Sequence, residues 1–176
     1  MACGGGGGGD SGGGVVVAAN KWIANSGTYS ACNSHVRQTL VFAAIGTNQG
    51  TMTAKDEIFN GDNCTGVING TLTNPLPFTV TYLNSGVVSV SGMGASVQSL
   101  SIDRIQVSAP AMTSSLVGSG VQGLCVNYTG GNMCYGSLSS TSTVFDGGMY
   151  FGSTTLASLT GSGTIYKLSG AVLTKQ

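Results

Sequence analysis

Apolar and polar positions alternate with a period of two along most of this chain. Residues 36–45 (VRQTLVFAAI) carry Val36, Leu40 and Phe42 among their apolar positions, and residues 51–59 (TMTAKDEIF) return after a turn at 46–50. The alternation is cleanest at 78–82 (FTVTY), 88–90 (VSV) and 100–107 (LSIDRIQV). Successive side chains of an extended strand point to opposite faces, so each run predicts a strand with one buried face. Residues 65–72, 121–128, 149–151 and 164–168 add further turn-bounded strands, and residues 15–19 (VVVAA) and 21–23 (KWI) lead into the first strand region. Turn residues punctuate the runs: Asn60-Gly61-Asp62-Asn63, Asn74-Pro75-Leu76-Pro77, and Asn84-Ser85-Gly86, which reads as a hairpin loop. Residues 109–120, around Pro110, form a looser segment. Short strands at this spacing predict an all-β fold: a single antiparallel meander barrel of about 8–10 strands, with a β-sandwich as the alternative.

Composition narrows the reading. A chain of 176 residues suits one domain and buries a sizeable core. Only 7% of residues are charged, against about 25% in ordinary soluble domains. Glu57 is the single glutamate, so strong helix formers are scarce. The formal net charge is +0 with no basic cluster, which argues against a nucleic-acid partner, because phosphate neutralisation dominates such affinity. Apolar runs such as 15–19 fall far short of the roughly 20 residues of a membrane helix. Gly4 to Gly9, continued by Asp10-Ser11-Gly12-Gly13-Gly14, cannot offset backbone entropy by burial. The expected organisation is a flexible tether over 1–14 and a β-barrel domain over 15–176.

Five cysteines are an odd number, and Cys3 is the natural one left over. A two-residue turn at Thr129-Gly130 sets Cys125 directly opposite Cys134, within disulfide reach. Cys32 and Cys64 then pair by elimination. The rival is a Cys₄ metal site, but zinc sites use close C-x₂₋₄-C pairs and none of these spacings fits. No metal or other cofactor is expected.

Catalytic chemistry finds little footing. His35 is the one histidine, so any Ser-His-Asp or Cys-His arrangement depends on it; a surface histidine is the expectation. Asp56 and Glu57 are strand neighbours and face opposite ways, which rules out a carboxylate pair. Asp103-Arg104 reads as a structural strand pair, and Asp10, Asp62 and Asp146 as turn residues. Residues 60–63 offer too few oxygens for a calcium loop. The glycine run lacks the Lys-Ser/Thr ending of a phosphate loop. Asn63, Asn69 and Asn127 match the glycosylation pattern, as Asn- and Thr-rich chains do by chance. The aromatic residues, from Trp22 and Tyr29 to Tyr166, read as core, with some available to line a pocket. No catalytic residue is assigned, and a non-enzymatic role is expected.

Two resemblances add to this. Met1-Ala2-Cys3 ahead of a glycine tether resembles the mature end of a bacterial lipoprotein, which implies a lipid on Cys3 and attachment to the bacterial envelope, by default at the outer membrane. The order Trp22, Cys32, a strand with Arg37 and Phe42, then Asp62-Asn63-Cys64-Thr65-Gly66 looks like the lipocalin-like barrel modules of envelope lipoproteins. More distantly it is similar to the extracellular barrel domains of lipid-binding Wnt inhibitors. That likeness covers residues 20–85 and implies a barrel whose interior takes an apolar ligand. The expected function is therefore a lipid-anchored envelope protein binding an apolar or envelope-derived ligand. The alternatives are a structural, adhesive or filament-forming subunit that self-assembles, and a periplasmic inhibitor of a host lytic enzyme.

Overall fold

The computed structural model describes residues 25–176; the tether, Cys3, Trp22 and the lead-in at 15–23 lie outside them. The described chain is all-β, without an α-helix. Its first five strands are β1 (Gly27–Asn33), β2 (Val36–Ala44), β3 (Gln49–Gly61), β4 (Thr65–Thr73) and β5 (Phe78–Ser91), with a 3-10 turn at Asp62–Cys64. Next come β6 (Gln98–Ala109), β7 (Met112–Thr113), β8 (Ser115–Val117) and β9 (Val121–Gln122). The hairpin β10 (Cys125–Tyr128) and β11 (Gly131–Cys134), the short β12 (Ser139–Ser140), and β13 (Thr143–Phe151), β14 (Thr155–Ser162) and β15 (Ile165–Lys175) complete the order.

Ten strands form one sheet in the order β14-β13-β6-β5-β15-β1-β2-β3-β4-β8, with extra pairings of β14 to β15 and β5 to β3. These pairings close a circuit through β1, β2, β3, β5, β6, β13, β14 and β15. The circuit is irregular, because β5 changes partner along its length. Residues 78–81 pair antiparallel with β3, whereas 89–91 pair parallel with 165–167 of β15. That parallel contact pinches one end. The core divides accordingly. Tyr29, Leu40, Phe42, Val80, Met149 and Phe151 belong to one buried cluster, and Val88, Val90, Ile102, Leu159 and Tyr166 to a second at the pinched end. Side chains, rather than a ligand chamber, fill the inner face there.

Most predicted strands are present with extended ends. The hairpin loop expected at Asn84-Ser85-Gly86 is instead the middle of β5, which pairs with β6 from Thr79 to Val90 across a bulge between Tyr82 and Asn84. The turn-type residues are tolerated because β6 supplies a continuous partner and the buried Asp103 accepts a 2.6 Å bond from the Ser85 hydroxyl. The Arg104 guanidinium bonds Asn84 and the Gly163 carbonyl. Asp146 lies on β13, accepting from Gln106, and not in a turn. β1 and β14 lack clean alternation. In β14 a register shift between Ala157 and Leu159 breaks the period.

Both expected disulfides form, Cys32–Cys64 and Cys125–Cys134, so these thiols are unavailable to a Cys₄ metal site. The second joins directly opposed residues of the hairpin, whose turn places Gly130 at a φ of 91° that a Cβ disfavours. The first ties the end of β1 to the 3-10 turn after β3 and closes the longer loop, with a sequence separation of 32 against 9. In the chain-entropy picture these loops are worth about 3.7 and about 2.6 kcal/mol. Urea unfolding is therefore expected to show a larger loss for the Cys32→Ser/Cys64→Ser pair than for Cys125→Ser/Cys134→Ser; the reverse order would contradict this assignment.

Candidate functional site

The sheet formed by β1 to β4 has an inner face built in rungs. Tyr29, Leu40 and Ala54 stand side by side and pack in the core. One rung further, Ala31, Gln38, Asp56 and Leu72 align across four strands. The next rung is Asn33, Val36, Ile58 and Gly70. Strand periodicity thus continues, but the inward positions turn polar at Gln38 and Asp56. This polar rung marks where the core ends.

Two elements cover the rungs beyond it. The β10–β11 hairpin lies over β3 and β4, with Val126 fully buried against Gly70. A Cβ on Gly70 would sit 2.6 Å from a Val126 methyl, so the close approach needs glycine here. Asn69 holds the hairpin by donating 2.7 Å to the Asn127 carbonyl, and the Thr129 amide donates 3.1 Å to the Asn60 carbonyl. On the other side, β15 bonds to β1 at only two register positions, Tyr29 with Lys175 and Ser30 with Thr174. Beyond them β15 departs, its backbone bulging around Gly170.

A groove of about 590 Å³ opens in this fork. Ala31, Val36, Met133 and Ala171 give it apolar walls, while Gln38 and Asp56 supply polar groups from the floor. Tyr128 and His35 close one end. The volume falls within the usual range of about 300–1,000 Å³ for small-molecule sites.

His35 follows Ser34 in the tight turn between β1 and β2, and its side chain is only 13% exposed. The expectation of a surface histidine is thus corrected. Its Nε2 lies 3.0 Å from an Asp62 carboxylate oxygen, and its ring stacks on Tyr128 at 4.0 Å between centroids. The 3-10 turn puts Asp62 there, and the Cys32–Cys64 bridge secures that turn. Ser34 Oγ also donates to Asp62, at 3.3 Å. The opposite ring nitrogen, Nδ1, is buried without a hydrogen-bond partner among the described residues. A Ser-His-Asp relay needs a hydroxyl at the nitrogen remote from the carboxylate; here Ser34 sits on the carboxylate side.

The two adjacent carboxylates separate as alternation requires. Glu57 faces outward, 2.9 Å from Lys55 and 3.9 Å from Arg37. Asp56 faces the groove, and burial pushes its carboxyl pKa above the usual range. Tyr135 is raised too, first by burial and then by the charge of Asp56. No group of three metal-ligating side chains occurs among the described residues. No helix among them is long and apolar enough to cross a membrane. Of the groove residues, the sequence singles out His35 and Asp56 one at a time; Gln38, Met133 and Ala171 carry no motif, although the polar positions 38 and 56 on an otherwise apolar strand face are a visible signal.

The chain matches no protein-family model, no curated protein and no solved structure.

Asp56 binds its proton more tightly in the folded chain than in the unfolded one, so ionisation above the folded pKa opposes folding. Asp56→Asn is therefore expected to melt above the parent at pH 7. The gap should close as pH falls through the carboxylate range, where both side chains are neutral. Thermal melts across a pH series check this; a parent more stable than the variant at pH 7 would contradict it.

Proposed function

We propose that this chain is a non-enzymatic binding protein of a bacterial envelope, held by a lipid on Cys3. In this reading a lipocalin-like meander barrel presents the fork between β1 and β15 to an apolar or envelope-derived ligand. The observation carrying the binding reading is the groove itself. It has one apolar wall, a polar floor and an end clamped by a disulfide-linked hairpin, which is the build of a small-molecule site. With the pinched end filled by side chains, this reading puts the ligand in the fork, where the inner face turns polar. The anchor rests on the resemblance of residues 1–3 to a processed lipoprotein end, and the glycine run supplies a spacer long enough to hold a domain off a bilayer.

Native mass spectrometry after incubation with a bacterial lipid extract tests the ligand. Adducts that disappear when Met133→Trp fills the groove are expected; bare protein throughout would count against binding. For the anchor, the native gene is expected to encode a hydrophobic signal ending in Leu and two small residues just ahead of Cys3. An upstream reading frame without it would remove the anchor.

A second reading, self-assembly, draws on the sheet edge. Among the described residues, β8 ends the ten-strand order with a single partner, and Val67, Ile68 and Val117 beside it are exposed. Unpaired strand edges with apolar neighbours and little charge invite pairing between chains. Sedimentation over a concentration series is expected to show association that Val117→Lys abolishes; a monomer at every concentration would argue against it.

A further inference from the structure

Among the described residues, nothing compensates the charge on the polar rung of the groove. Asp56 and its cross-strand neighbour Gln38 both line the cavity, and among the described residues no lysine or arginine does. The basic side chains of β2 and β3 are engaged elsewhere, and Lys175 of β15 stands over the Tyr29 ring at 5.9 Å. Lys55 and Arg37 lie on the outer face with Glu57, and Arg37 also stacks over Phe59 at 4.6 Å. His35, at the end of the groove, is engaged by Asp62. Tyr135, from the covering hairpin, turns its hydroxyl to the Met133 sulfur at 3.5 Å. Among the described residues, then, neither the Asp56 carboxylate nor the Gln38 amide has a side-chain hydrogen-bond partner. A half-buried carboxylate without a partner is costly, and a cationic donor is the group that relieves that cost.

We propose that the groove takes a ligand with a protonated amine on an apolar body, the ammonium placed between Asp56 and the Gln38 carbonyl oxygen. The ammonium has three donors and no acceptor, which suits a carboxylate beside an amide oxygen. The apolar body lies along Ala31, Val36, Met133 and Ala171. An anionic head is disfavoured by repulsion from Asp56, and a hydroxyl satisfies one acceptor without neutralising the charge. Burial raises the Asp56 carboxyl, and a bound cation would draw it back down.

This inference rests on the groove being a binding site, so the experiment separates the two. The full chain is titrated at pH 7 with octylammonium, 1-octanol and octanoate, followed by ¹H–¹⁵N NMR shifts and calorimetry. Octylammonium is expected to bind at least about tenfold more tightly than octanol, with octanoate weakest. Asp56→Asn should erase the preference, and Glu57→Gln, on the opposite face, should leave it intact. Added sodium chloride should weaken the amine and leave octanol unaffected, a readout that holds even if the Asp56 variant fails to fold. Equal binding of amine and alcohol overturns the cationic ligand and leaves the groove reading standing. Binding of none of the three overturns both.

Discussion

The divided hydrogen bonding of β15 governs the rest of this structure. Its first residues lie parallel to β5, its whole length follows β14, and only its last two paired residues reach β1. A backbone edge satisfies one neighbour at a time, so a strand that changes neighbours must leave a gap where it crosses from one to the other. Gly170, in the left-handed region, lets the chain bulge at that crossing. The same crossing separates the two buried clusters and opens the fork beside β1. Pinch, divided core and groove are consequences of one change of partner.

What keeps the fork from collapsing is the cover on β3 and β4. The β10–β11 hairpin is too small to be stable alone. It is held by its disulfide, by Val126 seated on Gly70, and by bonds from the Asn69 side chain and Thr129 amide. The polar rung of Gln38 and Asp56 sits where core packing gives way to this cover. Apolar residues at both positions would extend the core and pull the two layers together. A carboxylate there costs stability through its burial, and the proposed cationic ligand is the group that would offset that cost.

The strands themselves were largely legible because period-two alternation is a direct image of a sheet with one buried face. Residues 36–45, 51–59 and 100–107 read correctly for that reason, as did the hairpin that opposes Cys125 and Cys134. Asn84-Ser85-Gly86 reads as a turn from its residue types alone, yet β6 pairs across these residues and Asp103 accepts from Ser85. His35 misled because its burial comes from Tyr128, 93 positions away, and from a turn set by a disulfide. Alternation alone sets Asp56 on the side of its strand away from Glu57, whereas what that side faces depends on β15 and the β10–β11 hairpin.

By itself the sequence determined the all-β class, the scarcity of charge, the separation of Asp56 from Glu57, and the cysteine pairing. All four follow from local spacing or composition, which act before the chain folds. Only the tertiary structure decided the circuit of pairings, the departure of β15 from β1, the docking of the hairpin on Gly70, and the groove these create. Each depends on which distant strand captures an unsatisfied backbone edge. That competition is settled by the whole sheet at once.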